Sequence, residues 1–373
     1  MKATTNKKVL ILIPLFNLGG AEKQALYIAE SLEKTGNYEV EVWGLQNGTE
    51  MLKTRLNECG IKHKNIEISF GSFYSIRGRL RAYWRFLKAL RKSKIDIIIP
   101  FTYHCNVMSS TVFRLARVKK CFWFQIAMEY HIPLGSFEKL ALKFKPIYAS
   151  NSLAAGTFIA ERHRINPKLV SFVPNPFEPL RAKYSIENWR ETLNLEVTDM
   201  VMVMVANFFP EKDHITLLKG LKILLSDFPN LKLIFAGGLQ PESESNAAKA
   251  TAFDLGLCNQ VVFLGSTDDI PGLLSVANIG ILSSRSEGSP NALIEYMGYG
   301  IPVIATNIPA ITELLGVDYP YLFKVESVED YVQKTKLLLT NKNTQLVEKN
   351  KSIIAMSYTV SSNLKAFMNV IES

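Results

Sequence analysis

Residues 279–305 read IGILSSRSEGSPNALIEYMGYGIPVIA and contain one complete strand–helix–strand repeat. The apolar runs Ile279–Ser283 and Val303–Ala305 are typical of buried parallel strands, and Asn291–Tyr299 between them has the length and spacing of an amphipathic helix. Pro290 suits the first turn of that helix, because proline has no amide hydrogen to leave unpaired. The stretch predicts one β–α–β unit of a parallel sheet.

The same alternation of apolar runs and amphipathic stretches continues in both directions along the 373-residue chain. The first-half strands are predicted at Val9–Phe16, Glu39–Leu45, Asp96–Phe101, Cys121–Ile126, Ile147–Asn151 and Val170–Val173. The second-half strands are predicted at Met200–Ala206, Leu231–Ala236, Val261–Leu264, Ile279–Ser283 and Val303–Ala305. Helices such as Ala21–Lys34 and Ile215–Asp227 fill the gaps, and two more are expected between Thr340 and Ser373. We therefore predict an α/β protein with two doubly wound, Rossmann-like parallel sheets.

A proline-rich segment separates the two halves. The stretch PNPFEPLR at residues 174–181 carries three prolines, which neither a helix nor a central strand tolerates. We predict an N-terminal domain over residues 1–177, a C-terminal domain over residues 178–355, and a helix over residues 356–373 that packs back on the N-terminal domain. Two such domains joined by a hinge would turn the carboxyl ends of their parallel sheets toward a central cleft, where ligands of these folds bind.

The composition is that of a globular protein, with 47% hydrophobic and 21% charged residues. The apolar runs are too short to span a membrane, and the first of them leads into Gly19–Gly20 rather than a cleavage site. The four cysteines have neither disulfide nor metal-ligand spacing. We expect a cytoplasmic protein with no disulfide framework.

The positive charge is concentrated in the first half. Residues 1–177 hold 27 Lys and Arg against 12 Asp and Glu, whereas residues 178–373 hold 16 against 22. A basic half of this kind is expected to meet an anionic partner, and charge alone leaves nucleic acid, a membrane surface and an acidic small molecule open. No nucleic-acid motif accompanies the charge, so we expect no nucleic-acid partner.

The segment at residues 77–94, RGRLRAYWRFLKALRKSK, contributes eight basic residues and no acidic one. Leu80, Trp84, Leu87 and Leu90 recur at helical spacing and predict an apolar stripe. Two interpretations stay open. The helix packs on its sheet and shows a solvated basic face, or that face lies on anionic lipid with Trp84 or Tyr83 at its edge.

Two loops that follow predicted strands carry candidate anion ligands. Gly19 and Gly20 lie between the first strand and a helix, where glycines allow close backbone approach and the helix N-terminus offers free amides. A tight turn explains the pair equally well. Lys212, in the stretch ANFFPEKDHIT, lies at a helix N-terminus, where the macrodipole disfavours a cation. Either a bound anion or simple solvation would account for this lysine.

The loop quoted first carries Glu287 and, within the helix after it, Glu295. Carboxylates in this arrangement can point into one cleft and accept hydrogen bonds from the vicinal hydroxyls of two different rings. The first-turn amides of Asn291, Ala292 and Leu293 are free to bind a phosphate between them. In the plain alternative, Glu287 caps the helix and Glu295 forms an ordinary salt bridge.

These motifs, taken in order, make the chain resemble the retaining glycosyltransferases of family four, which have the GT-B fold. The landmarks are GGAE near the N-terminus, VPNP at 173–176, PEK at 210–212, VVFLG at 261–265, EGSPNALIE at 287–295 and GIPVIAT at 300–306. They extend over nearly the whole chain and follow the family's order, which is more specific than any one motif.

The resemblance implies roles for the matching positions. Glu295 would bind the ribose of a nucleotide-sugar donor, Glu287 would hold the transferred sugar, and Lys212 would neutralise the departing diphosphate. The amides of residues 291–293 would bind that diphosphate, Leu264 and Gly265 would meet the base, and Gly19 and Gly20 would close on the phosphate or acceptor. The donor-binding set is Gly19, Gly20, Asn207, Lys212, Leu264, Gly265, Glu287, Gly288, Ser289, Pro290, Asn291, Ala292, Leu293 and Glu295.

Two further positions follow from the resemblance. His104 is expected to contact the donor sugar and the acceptor, so that Glu287, Lys212 and His104 form the catalytic set; His131 is a weaker second candidate. Asn207 departs from the family, which usually has an arginine there, and Arg285 is a candidate substitute for the missing cation.

The resemblance implies an enzyme that moves a hexose or N-acetylhexosamine, with retention, to a saccharide or lipid-linked saccharide in surface polysaccharide biosynthesis. UDP is the expected carrier and GDP the second choice. We expect no cofactor beyond the nucleotide-sugar co-substrate and no metal, since Asp268 and Asp269 are adjacent rather than spaced as DxD. With the basic segment, this predicts peripheral attachment to the inner face of the cytoplasmic membrane. The alternatives are a nucleotide-sugar epimerase and a nucleotide-sugar-binding protein with weak turnover.

Overall fold

A computed structural model describes residues 6–17, 19–128, 134–341 and 344–372. They divide into two compact units: unit 1 comprises Met1–Pro176 and Val360–Ser373, and unit 2 comprises Phe177–Thr359. Each unit is built on its own parallel sheet with helices around it. The predicted α/β class with two Rossmann-like domains is confirmed.

Unit 1 contains a seven-stranded parallel sheet in the order β3-β2-β1-β4-β5-β6-β7. Its strands are β1 (Lys7–Leu15), β2 (Tyr38–Gln46), β3 (Lys62–Asn65), β4 (Ile97–Pro100), β5 (Lys120–Gln125), β6 (Ile147–Ser150) and β7 (Val170–Phe172). Its helices are α1 (Gly20–Lys34), α2 (Glu50–Glu58), α3 (Ile76–Ser93), α4 (Tyr103–Val112), α5 (Ser136–Lys143) and α6 (Leu153–His163), joined near the C-terminus by α15 (Val360–Glu372).

Unit 2 contains a six-stranded parallel sheet in the order β10-β9-β8-β11-β12-β13. Its strands are β8 (Met200–Val205), β9 (Leu231–Ala236), β10 (Val261–Gly265), β11 (Ile279–Leu282), β12 (Val303–Thr306) and β13 (Leu322–Phe323). Its helices are α7 (Ile186–Thr192), α8 (His214–Leu224), α9 (Glu242–Asp254), α10 (Ile270–Ser275), α11 (Asn291–Gly298), α12 (Pro309–Leu315), α13 (Val328–Thr340) and α14 (Thr344–Ser357).

Both sheets are buried on both faces, which is why their central strands read as continuous apolar runs. Residues 9–13 of β1 and residues 201–204 of β8 are fully buried. In each sheet the strand order reverses once, between β1 and β4 in unit 1 and between β8 and β11 in unit 2. Ligands of doubly wound folds bind beyond the carboxyl ends of the strands at such a reversal.

Two strands were not predicted from the sequence. β3 has the polar sequence KHKN and lies at the edge of the sheet, where alternate residues face solvent. β13 consists of two residues at the opposite edge of the other sheet. Neither has the apolar run that identified the central strands, so hydrophobic periodicity gave no signal for them.

The chain tail forms two helices, with the last one starting at Val360 rather than at residue 356. Tyr358 still donates its amide to the carbonyl of Ile354 as α14 ends. In α15, Phe367, Val370 and Ile371 are buried in the core of unit 1, where the Phe367 ring lies 5.9 Å from that of Phe122.

The predicted packing face of α3 was partly wrong. Leu80 and Trp84 are exposed, and Tyr83 is buried rather than placed at the edge of the free face. The side chains that pack on unit 1 are Ala82, Tyr83, Phe86 and Leu90. Two stripes of residues offset by one position lie about 100° apart around a helix. Spacing alone therefore did not show which apolar stripe of α3 is buried and which is exposed.

Candidate active site

The strand-order reversal in unit 2 brings together two of the loops singled out in the sequence. β8 and β11 are hydrogen-bonded neighbours, with Ile279 opposite Met202 and Gly280 opposite Val203. The loops that follow them, residues 206–213 and 283–290, therefore leave the same edge of the sheet side by side. Parallel pairing aligns the carboxyl ends of strands that are far apart in the sequence.

An ion pair joins these two loops. Lys212 Nζ donates a short hydrogen bond to Glu287 Oε1, and Ser284 Oγ donates to the same oxygen at 2.6 Å. The side chains of Lys212 and Glu287 are 20% and 11% exposed, so water screens the pair little. Two of the predicted catalytic residues, 75 positions apart in the chain, are thus in direct contact.

Backbone-directed hydrogen bonds hold the loops in register. Ser283 Oγ donates to the carbonyls of Lys212 and Asp213 at 2.9 and 3.1 Å. The Arg285 amide donates to the Glu211 carbonyl at 2.7 Å. Thr306 Oγ1, at the end of β12, donates to the Ser284 carbonyl at 2.6 Å. The position of Glu287 opposite Lys212 is therefore fixed by bonds that do not involve their own charges.

Asp213 is the N-cap of α8 and lies in the left-handed region, with φ 37° and ψ 56°. Its Oδ1 accepts a hydrogen bond from the amide of Thr216 at 3.4 Å. A non-glycine residue in this region is uncommon and is found where the surrounding structure imposes it. Here it turns the chain between Lys212, which faces Glu287, and His214, which faces the core.

His214 is buried and stacks on Phe208 with ring centroids 4.0 Å apart. Burial, with a smaller contribution from the nearby charge of Lys212, lowers the pKa of His214 to about 3. The imidazole therefore stays neutral at physiological pH. It behaves as a core aromatic beneath the Lys212 loop.

Helix α11 begins at Asn291 directly after the Glu287 loop. Pro290 occupies the N-cap position, and among the described residues no side chain caps the helix. The alternative in which Glu287 caps α11 is therefore wrong, since its carboxylate is bound to Lys212 and Ser284 instead. The helix macrodipole favours an anion at this end.

The face of α11 that is not packed in the core carries Asn291, Ala292 and Glu295, all half-buried, whereas Leu293 is fully buried. The preceding Gly288 and Ser289 are also half-buried, and the Asn291 amide donates to the Ser289 carbonyl at 3.0 Å. Residues 291 and 295 are one turn apart and share this face.

Arg285, considered as a substitute for the missing family arginine, is held away from Glu287. Its guanidinium donates to Glu326 Oε1 at 2.5 Å and to the Pro210 carbonyl, and it lies 3.5 Å from Asp213 Oδ1. The arginine joins the loops after β8, β11 and β13, with its charge matched by two carboxylates. In this arrangement it has a structural role.

Asn207 connects the ends of β8 and β9, because its Oδ1 accepts from the Gly238 amide at 2.8 Å. Gly237 in turn donates its amide to the Gly265 carbonyl at 2.9 Å at the end of β10. Gly265 has φ 76°, which favours glycine. Leu264 and Gly265, predicted near the base, are half-buried at this same edge of the sheet.

In unit 1, Gly19 and Gly20 lie at the start of α1, with Gly19 as the N-cap. The Glu22 carboxylate folds back over this end and accepts hydrogen bonds from the amides of Gly19 and Glu22. Burial raises the pKa of Glu22, and these two hydrogen bonds partly oppose the rise. The helix end predicted to receive a phosphate thus already faces an acidic side chain of its own.

His104 follows β4 at the strand-order reversal of unit 1. It stacks on Phe73 with ring centroids 4.6 Å apart and an interplanar angle of 5°. Thr102 just before it has φ 74°, again a region that non-glycine residues rarely adopt. Burial, aided by the charge of Arg79, lowers the pKa of His104. His131, the weaker candidate, lies outside the described residues.

Sequence reasoning missed two serines and one acid. Ser284 binds Glu287, Ser283 joins the two loops, and Glu22 covers the start of α1. The two serines lie between a buried strand and the pair Glu287 and Glu295, and hydroxyl side chains at such a position are a usable signal for residues that fix a loop. Glu22 was visible as the acid of GGAE, in the first helical turn, where a carboxylate interacts favourably with the dipole.

Comparison with known proteins points to one class of enzyme. Residues 185–356 match the family model described as glycosyl transferases group 1. The UDP-Gal:alpha-D-GlcNAc-diphosphoundecaprenol alpha-1,3-galactosyltransferase of Escherichia coli is 21% identical over 279 residues, covering 70% of this chain and 71% of that protein.

Solved structures share the fold along almost the whole chain. A glycosyltransferase from Rickettsia africae aligns with a TM-score of 0.83 at 18% identity, covering 99% of this chain and 98% of that one. Anabaena Alr3699/HepE, solved in complex with UDP and glucose, aligns with a TM-score of 0.81 at 18% identity, covering 98% and 100%. Identities this low establish the fold, GT-B. The family match covers less than half of the chain, and it includes both loops of the candidate site.

Proposed function

We propose that this protein transfers a sugar from a nucleotide-sugar and that the loops after β8 and β11 bind the donor. The observation that carries the proposal is the Lys212–Glu287–Ser284 group at the strand-order reversal of unit 2, next to the uncapped start of α11. A cation and a helix N-terminus suit a diphosphate, and a nearby carboxylate suits sugar hydroxyls.

The donor is assigned to these residues as follows. The diphosphate binds between Lys212 and the amides of residues 291–293, Glu287 accepts hydrogen bonds from the transferred sugar, and Glu295 accepts them from the ribose. Leu264 and Gly265 border the base. Lys212 is paired with Glu287. When the donor binds, Lys212 can turn to the diphosphate, and Glu287 can then accept hydrogen bonds from the sugar hydroxyls.

The chemistry needs no covalent intermediate. The bond from the anomeric carbon to the phosphate oxygen breaks through an oxocarbenium-like transition state, and the acceptor oxygen forms its bond on the same face, which retains the anomeric configuration. The departing phosphate oxygen takes the acceptor proton. Lys212 and the α11 dipole stabilise the charge that develops on that oxygen, where fixed donors are most effective.

Two relatives support a UDP-sugar donor and a saccharide or lipid-linked acceptor in surface polysaccharide biosynthesis. The E. coli relative is named for a UDP-galactose donor and a diphosphoundecaprenol-linked acceptor. The Anabaena structure holds UDP and glucose. We assign His104, Gly19 and Gly20 to the acceptor side of the reaction, and we assign no metal to the chemistry.

The test begins with a thermal-shift screen of UDP, GDP and their common hexose and N-acetylhexosamine conjugates, because a bound ligand raises the melting temperature. The stabilising donor is then incubated with lipid-linked saccharides, and nucleoside diphosphate release and the anomeric configuration of the product are measured. Acceptor-dependent release with a retained anomer supports the proposal. Stabilisation without release would instead indicate a binding protein, and interconversion of the free donor sugars an epimerase.

A further inference from the structure

Helix α3 of unit 1 exposes a ridge of large apolar side chains. Ile76, Leu80 and Trp84 are 71%, 56% and 63% exposed and recur every four residues, so they stand on one side of the helix. Tyr74, just before the helix, is 89% exposed. Single exposed apolar residues are normal, but a continuous ridge of this kind indicates an interaction surface.

A ridge of basic side chains runs beside it. Arg77, Arg81 and Lys88 are exposed at the positions next to the apolar ridge, and Lys88 Nζ lies 5.3 Å from the centre of the Trp84 ring. Arg85 continues the ridge but pairs with Glu67 at 2.6 Å. The helix itself contains no acidic residue. We call Tyr74, the apolar ridge and the basic ridge together the α3 face.

The fold of unit 1 does not use this face. The opposite side of α3 packs through Ala82, Tyr83, Phe86 and Leu90, which are at most 7% exposed. Arg79 is also excluded, because it donates to the Phe73 carbonyl at 2.5 Å and its guanidinium lies 5.8 Å from the centre of the Phe137 ring. The exposed apolar ridge is therefore additional to the side chains that hold the helix in place.

We propose that the α3 face lies on an anionic lipid bilayer, with the apolar ridge at the boundary between headgroups and acyl chains and the basic ridge on the lipid phosphates. Parallel apolar and basic ridges are complementary to the two layers of such a surface. Trp84 is suited to the interface because its ring is apolar and its N–H polar. Among the described helices none is long and apolar enough to span a membrane. The proposal does not rest on the donor site.

Tryptophan fluorescence offers a direct readout. All four tryptophans lie within the described residues, and Trp43, Trp123 and Trp189 are at most 6% exposed. Trp84 alone among them faces solvent, so a change on adding vesicles reports on the α3 face. We expect a blue shift with phosphatidylcholine vesicles that contain phosphatidylglycerol, quenching by lipids brominated on the acyl chain, and loss of both signals in Trp84→Phe.

Vesicle flotation of the full chain tests which residues bind. The variant Arg77→Glu, Arg81→Glu, Lys88→Glu should weaken binding by about 100-fold or more, since each basic residue near an anionic surface contributes about fivefold. The matched control Lys219→Glu, Lys222→Glu, Lys249→Glu changes the net charge equally on exposed positions of unit 2 and should bind as wild type. Leu80→Ser with Trp84→Ser should weaken binding by about tenfold or more, and added salt should weaken wild-type binding.

Several results would overturn the proposal. One is an equal loss of vesicle binding in the α3 variant and in the unit 2 control variant. Another is binding to pure phosphatidylcholine vesicles that is as strong as binding to anionic vesicles. The third is that the wild-type chain binds neither kind of vesicle. Tighter binding of a DNA or RNA oligonucleotide than of anionic vesicles would assign the face to nucleic acid instead. Nucleotide-induced stabilisation in the α3 variants reports separately on the donor site and should stay unchanged.

Discussion

Both units have a strand-order reversal in the middle of their sheet, but the loops at the two reversals carry different side chains. In unit 1 the loops after β1 and β4 meet at the strand-order reversal, and in unit 2 the loops after β8 and β11 do so. Each junction contains a non-glycine residue with positive φ, Thr102 in one and Asp213 in the other. At the unit 2 junction a lysine and a carboxylate pair across the two loops, next to the start of α11.

The two junctions also differ in what their acidic side chains contact. In unit 1 the start of α1 is covered by the carboxylate of Glu22, one of its own first-turn residues. In unit 2 the acid that precedes α11, Glu287, pairs with Lys212 on the neighbouring loop. A doubly wound fold supplies a crevice in both units, but loop chemistry decides which crevice suits an anion.

The largest effect is expected for Lys212. Lys212→Ala removes the cation that stabilises the departing diphosphate, so kcat should fall by about 100- to 1000-fold and more than KM rises. Lys219→Ala, an exposed lysine on α8, is the matched control and should behave as wild type. Steady-state kinetics of the two variants, with and without EDTA, check this. An equal loss in the control, or activity abolished by EDTA, would contradict the assignment.

The two carboxylates of unit 2 should separate binding from turnover. We expect Glu295→Ala to weaken nucleotide binding and Glu287→Ala mainly to lower kcat, each by roughly 1.5–3 kcal/mol, because each loses a charged hydrogen-bond partner. Titration calorimetry gives the first value and steady-state kinetics the second. Glu348→Ala, on an exposed face of α14, is the control. Wild-type nucleotide affinity in Glu295→Ala and wild-type kcat in Glu287→Ala would show that neither carboxylate belongs to the donor site.

The junction histidines should respond differently to acid. The pKa of His214 is about 3 in the folded protein, below its ordinary value of 6.5, so below pH 6.5 the unfolded chain binds a proton that the folded one does not. Stability falls with acid by about 1.4 kcal/mol per pH unit in this window. His214→Phe should therefore lose about 2 kcal/mol less than wild type between pH 6.5 and 5, as measured by urea unfolding.

His104→Phe is the comparison variant for unit 1. The pKa of His104 is also lowered in the folded protein. The variant His104→Phe should therefore change the pH dependence of the stability in the same direction as His214→Phe. We expect a smaller change, because His104 is only half-buried whereas His214 is buried. Parallel stability curves for wild type and His214→Phe would show that His214 titrates normally in the folded protein.

The smallest effect is expected for Glu22. Because Glu22 already satisfies the start of α1, we assign no donor phosphate to that position, and Glu22→Gln should change nucleotide affinity by less than about twofold, or about 0.4 kcal/mol. Calorimetric titration with the nucleotide selected by thermal shift measures it. A tenfold change in affinity would show that the unit 1 junction contributes to donor binding after all.

The sequence predicted most of what the hydrophobic pattern controls. The α/β class and the central strands followed from apolar runs such as Val9–Phe16 and Met200–Ala206. Strands β3 and β13 did not, because β3 is polar and β13 has only two residues. The exposed position of Leu80 and Trp84 could not be derived either, since a helical stripe is equally compatible with a core and with a second surface.

For the candidate site, the sequence analysis named Lys212 and Glu287 but missed Ser284 and did not indicate which side chains pair. Glu287 and Lys212 were named separately, and their contact depends on the pairing of β8 with β11, which strand spacing does not specify. The roles of Arg285 and Asn207 also depend on neighbours distant in the chain, Glu326 and Gly238. Long-range partners of polar side chains require the strand order.

Hydrogen–deuterium exchange with and without the nucleoside diphosphate selected by thermal shift tests the donor assignment most directly. We predict protection in residues 206–213 and 283–293 of unit 2, with that protection lost in Lys212→Ala, and little change in residues 19–22 of unit 1. Protection confined to residues 19–22 and 101–104, with the unit 2 loops unchanged, would contradict the assignment of the donor to the loops after β8 and β11.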